Sequence, residues 1–194
     1  MRRPAATLTR SLAAGVLAVI AACALAGGAR AQSPFATWAA VVVAGDYHAH
    51  SGAISPAFDN ARRDVSQALL KLGFTAEHMT QFSSQPGELP PGVMPAQLDI
   101  ITGEFMRLAR VAPDGCLLYF TSHGAPGLVM MSDHPLMASG LASIIDNACP
   151  AGKPAVVIIS ACYSGSLIPT LSGPNRMILT AARPDRSSFG CGES

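Results

Sequence analysis

Short, almost unbroken apolar runs constrain this chain more than any other feature of it. WAAVVVA (Trp38 to Ala44), CLLYF (Cys116 to Phe120), PAVVII (Pro154 to Ile159) and MILTA (Met177 to Ala181) each read as a strand. Strands that are apolar on both faces belong to parallel sheets covered by helices. A weaker strand is expected somewhere in Phe74 to Phe82. Between the runs, apolar residues recur at helical spacing. Ala61, Val65, Ala68, Leu69 and Leu72 predict a helix that starts near Ser55-Pro56 and stops at Gly73. Leu98, Ile101, Phe105 and Leu108 mark a second helix, ended by Pro113-Asp114-Gly115. Leu141, Ile144, Ile145 and Ala148 mark a third. Ser83 to Pro95, dense in Ser, Pro and Gly, reads as an irregular connection, and Asp46 to Ala57 as a loop. Alternating strands and helices predict an α/β fold with helices on both faces of the sheet.

The 194 residues suit one domain plus a leader, and 49% of them are apolar while only 13% are charged. A net charge of +1, with no Lys/Arg block outside the leader, gives nucleic-acid binding little electrostatic support. Residues 1–31 read as a signal peptide. Arg2, Arg3 and Arg10 form its basic region, Leu12 to Leu25 its apolar stretch, and Ala29-Arg30-Ala31 its cleavage site. A rival is open: Ile20-Ala21-Ala22-Cys23 matches a lipobox, which would leave Cys23 lipidated. The protein is therefore expected to be exported, periplasmic or secreted, and to touch a membrane only if lipidated at Cys23.

Two strands end in reactive residues in the same way. LLYF runs into Thr121-Ser122-His123-Gly124, and VVII into Ser160-Ala161-Cys162. Function in open α/β sheets sits beyond the carboxyl ends of the strands. If these two strands are neighbours, ~4.8 Å apart, imidazole and thiol meet above the sheet edge. A thiol needs a base to become a thiolate, and an imidazole can take its proton and later donate it to a departing amine. Gly124 and Cys162 are the natural backbone N–H donors to an oxyanion. Gly165 is expected to leave room for an extended substrate. Alone, a strand-end Cys is a buried structural thiol and a His-Gly is a turn; together, at matched strand ends, they predict a catalytic pair.

YFTSHGAPG (Tyr119 to Gly127) and VVIISACYSGS (Val156 to Ser166) resemble the two catalytic blocks of the legumain-like family of cysteine peptidases. The resemblance implies a caspase-like three-layer αβα sandwich with a mainly parallel central sheet, over residues 32–194. It places the family's His-Gly on His123-Gly124 and its nucleophile on Cys162. TAARPDRSSFGC (Thr180 to Cys191) resembles the segment whose Ser-Ser pair lines the substrate cleft, here Ser187 and Ser188. Three positions depart from the family. Ser160 stands where legumains carry an acidic residue that helps bind asparagine, and Phe58 matches their basic partner residue. The Asn that supports the catalytic His falls near Asp46 or Tyr47. The chain also stops soon after the fifth predicted strand, where this fold normally adds a sixth strand and a helix. Either the protein is naturally short, lacking that last strand, or the sequence is a fragment.

Of the five cysteines, Cys116 opens one central strand and Cys149 precedes the next, so a Cys116–Cys149 disulfide at the amino end of the sheet is expected. Cys191 reads as an unpaired residue near the cleft. His48, His50, His123, Asp133 and His134 lack the spacing of known zinc motifs and read as cleft-lining loop residues, so no metal and no cofactor is expected. No G-x-S-x-G elbow surrounds Cys162, which argues against a serine esterase. The expected activity is hydrolysis of a peptide or protein substrate by a Cys–His dyad through a thioester. A transpeptidase of the same fold and a catalytically inactive binding module are its rivals.

Overall fold

The apolar runs form strands because alternate side chains of each bury into opposite layers, which only a sheet with two covered faces permits. The structure, a computed structural model, describes residues 33–188. Its elements are β1 (Trp38–Ala44), α1 (Ala57–Leu72), β2 (Met79–Ser83), β3 (Val93–Pro95), α2 (Leu98–Val111), β4 (Gly115–Thr121), β5 (Gly124–Ala125), β6 (Leu128–Met131), β7 (His134–Met137), α3 (Ala138–Ala148), β8 (Ala155–Ser160), α4 (Ile168–Leu171) and β9 (Arg176–Thr180). The central sheet has the order β3-β2-β1-β4-β8-β9, and all of its pairings are parallel. The signal-peptide region, Cys23 and Cys191 lie outside the described residues.

The two layers sort by residue parity. Val41, Val43, Leu118, Phe120, Val157 and Ile159 face Ile101, Phe105 and Leu108 of α2 and Leu141, Ile144 and Ile145 of α3. Ala40, Val42, Leu117 and Tyr119 face the opposite layer, with Leu69 of α1 and Phe74. Burying one such aliphatic side chain contributes roughly 1.5–3 kcal/mol. This is the expected αβα sandwich, and it follows from the periodicities of two and 3.6 in the sequence.

The expected helices appear at α1, α2 and α3. Gly73 closes α1 in the left-handed conformation, with φ 99° and its N–H on the carbonyls of the last turn. Two features differ from expectation. The Ser83 to Pro95 connection, expected to be irregular, holds β3, a three-residue strand paired with β2. Residues 124–137 form a second, three-stranded antiparallel sheet, β5-β6-β7, standing beyond the end of β4. Its strands have two to four residues each, too short for alternation to register. Ser132, at φ 53°, makes its tight turn without a glycine.

Candidate active site

The register of β4 and β8 builds the site. Thr121 lies opposite Ser160, the last pair of that ladder. His123 and Cys162 each follow two residues later, so the two chains leave the sheet side by side. A Cβ on Gly124 would overlap the carbonyl oxygen of Cys162 and come within 3.0 Å of the Ala161 Cβ. Glycine at 124 is thus what lets the two tips touch. His123 and Cys162 line a cavity of about 430 Å³ together with His50, Gly124, Tyr163 and Ser187.

The imidazole is held from several sides. Its Nε2 lies 2.9 Å from the carbonyl oxygen of His48. A carbonyl only accepts, so Nε2 carries the proton and Nδ1 keeps the lone pair. The Phe58 ring stands nearly perpendicular to the imidazole, with centroids 5.0 Å apart, and His50 packs at 5.9 Å. The His123 carbonyl accepts the Met130 N–H at 2.9 Å, tying the tip of β4 to β6.

Cys162 is 5% exposed. It is disulfide-bonded. Its Sγ accepts the Ser188 N–H at 3.4 Å and lies 3.6 Å from the Ser188 Oγ. Tyr163, the next residue, is left-handed at φ 57°, a conformation that costs a non-glycine residue on the order of 1 kcal/mol or more. The segment 181–188 straps this turn. Gly165 N–H donates to Ala182 O, Tyr163 N–H to Arg186 O (both 2.9 Å), and Ala182 N–H to Ser164 Oγ at 3.1 Å. Gly165 therefore does not open room for substrate. Its missing side chain admits the strap, since a Cβ there would lie 2.7 Å from Pro184 N. Tyr163, Asp185, Arg186, Ser187 and Ser188 line an adjoining cavity of about 470 Å³.

Of the residues singled out from the sequence, His50, His123, Gly124, Cys162 and Ser187 meet at one cavity, and Ser188 touches the sulfur. Ser160 is not among that cavity's described lining; its carbonyl accepts the Ser122 N–H at 3.2 Å. Phe58 packs edge-on against the imidazole of His123. Cys116 and Cys149 are joined by a disulfide with Cα atoms 6.2 Å apart, at the amino end of β4. Among the described residues no three of His, Cys, Asp and Glu converge as a metal site. Sequence reasoning missed the contact of the His48 carbonyl with His123, because a backbone acceptor has no residue type to search for. It also missed Tyr163, whose backbone conformation leaves no mark in composition.

The architecture is similar to that of caspase-1 from Spodoptera frugiperda, with a TM-score of 0.56 and 20% identity over 81% of this chain and 64% of that one. The family model of the Peptidase C13 family matches residues 95–194, just over half of the chain. The chain belongs to the Peptidase C13 family. This is the legumain-like family that the two strand-end blocks resemble, and the caspase-like fold is the one expected of it. A hemoglobinase from Schistosoma japonicum is 35% identical over 80 residues, 39% of this chain and 19% of that protein. The C13 chain thus spans about a fifth of the length of that curated relative. The C13 match contains both strand-end tips and the strap that touches Cys162.

Proposed function

We propose that this C13 protein is a cysteine endopeptidase with Cys162 as nucleophile and His123 as its acid–base partner. The observation that carries the reading is the Thr121–Ser160 pairing, which sends both side chains off the same sheet end into one cavity. The thiol of Cys162 passes its proton to His123 Nδ1, and the thiolate attacks the peptide carbonyl carbon. The carbonyl electrons move to oxygen, where the N–H groups of Gly124 and Cys162 stabilise them; one such donor contributes roughly 3–4 kcal/mol. His123 then protonates the departing amine, leaving a thioester. Water, deprotonated by the same imidazole, releases the acid and restores the thiol.

The disulfide at Cys162 has to be reduced before this cycle starts, so activity requires a thiol reductant. The name of the schistosome relative agrees with a protein substrate. Phe58 and Ser160 replace the charged groups that asparagine recognition uses in the legumains, so a preference other than asparagine is expected. The leader supports export, with cleavage after Ala31.

The test is cleavage of a fluorogenic peptide library by dithiothreitol-treated protein, with folded Cys162→Ala as control. The variant is expected to lose at least ~10³-fold in kcat/KM. Cleavage by Cys162→Ala at the parent rate would overturn the reading.

A further inference from the structure

Asp46 is 5% exposed, yet it carries a carboxylate. An ionised carboxylate out of water is costly unless its oxygens are hydrogen-bonded. Here one oxygen, Oδ1, takes three N–H groups: Tyr47 N at 2.7 Å, His48 N at 3.0 Å and His48 Nδ1 at 3.0 Å. Two of the three belong to His48, one from its backbone and one from its ring. The carbonyl of that residue is the acceptor for Nε2 of His123, at 2.9 Å. Asp46 therefore reaches the imidazole through one residue and does not touch it.

The rest of the loop serves the same end. Ser55 N–H donates to Tyr47 O at 2.9 Å and Ala49 N–H to Ala53 O at 2.7 Å, with His48 bridged to Ile54. Gly45 accepts the Ser132 N–H at 2.6 Å, and a Cβ there would press into the Phe120 ring. The chain leaving β1 is thus pinned before and after residue 48. The His48 carbonyl shares its peptide plane with the Ala49 N–H, which Ala53 O holds, and Asp46 adds a hold on both the amide and the ring of the same residue.

We propose that Asp46 and the His48 ring form a positioning clamp that aims the His48 carbonyl at His123 and fixes the catalytic tautomer. The inference rests on His123 acting as the base. When the Cys162 proton moves to Nδ1, both ring nitrogens become donors, and an already aimed carbonyl stabilises the cation without rearrangement. Neither clamp residue contacts the reacting atoms. Their effect should appear in the chemical step and leave substrate binding nearly alone.

The experiment compares Asp46→Ala, Asp46→Asn and His48→Ala with the parent, all as dithiothreitol-reduced full chain. It reads kcat and KM separately on a cleaved library peptide, thermal midpoint, and the pH profile of Cys162 alkylation by iodoacetamide. Asp46→Ala is expected to lower kcat roughly 10–100-fold with KM within about threefold, the size of effect that a small misplacement of a catalytic group produces. Asp46→Asn keeps an oxygen for the two backbone N–H groups and is expected to recover most of the loss. His48→Ala keeps its carbonyl but loses the ring; its kcat is expected to fall about 5–10-fold, and the low-pH thiolate fraction seen by alkylation to shrink. Unchanged kcat in folded His48→Ala overturns the clamp, even if Asp46→Ala fails to fold. So does an Asp46→Ala loss that Asn does not rescue. If Cys162→Ala itself still cleaves the peptide, the dyad reading falls rather than the clamp alone.

Discussion

At the scale of single residues, the site depends on which side chains are missing as much as on which are present. Gly124 is the clearest case. A methyl group at this position would overlap the Cys162 carbonyl and crowd the Ala161 Cβ, both fixed parts of the neighbouring chain. Neither can swing away as a flexible side chain could. Gly124→Ala is therefore expected to part the tips of β4 and β8 and to cost roughly 10²-fold in kcat/KM, while the core beneath stays packed. Steady-state kinetics beside urea unfolding check this; a large fall in stability with kinetics intact would contradict it. The residue types at His123 and Cys162 were legible because each closes an apolar strand. The support for His123 was not, since it comes from a carbonyl whose position depends on a buried carboxylate two residues away.

At the scale of elements, long elements were legible and short ones were not. β1, β4 and β8 have six or seven residues and bury side chains into two layers, so hydrophobicity alone marks them. β3 and β7 have three or four residues, and each contains a proline, which sequence patterns count against a strand. The strap at 181–188 has no regular structure at all, yet it places Ser187 and Ser188 beside Cys162. Its seat depends on Gly165. A Cβ there would lie 2.7 Å from Pro184 N and 2.9 Å from both Ala182 O and Arg183 C. Gly165→Ala is expected to lift the strap and raise KM several-fold, with a smaller change in kcat, because the strap lines the cleft and the dyad sits on the sheet. A kinetic split of the opposite kind, kcat falling at constant KM, would mean that the strap positions Cys162 instead.

At the scale of the whole molecule, cysteine chemistry sits at both ends of the sheet. Cys162 lies beyond the carboxyl end of β8 and lines the candidate active-site cavity; Cys116 and Cys149, each 1% exposed, are joined near the amino end. The first must be reduced for the proposed reaction, and the second crosslinks β4 to the end of α3 across 33 residues of chain. Closing a loop of that length stabilises a fold by about 3–4 kcal/mol on the chain-entropy account. The packing around the inner pair protects it, since exchange needs a thiolate to reach a sulfur in line. A graded dithiothreitol titration should therefore separate the two. Peptide cleavage and iodoacetamide labelling of Cys162 are expected at low reductant with the thermal midpoint nearly unmoved. The double variant Cys116→Ser, Cys149→Ser is expected to retain reductant-dependent cleavage while losing about 3–4 kcal/mol in urea unfolding. Simultaneous loss of structure and gain of labelling in the titration would show that the two ends of the sheet are not chemically independent.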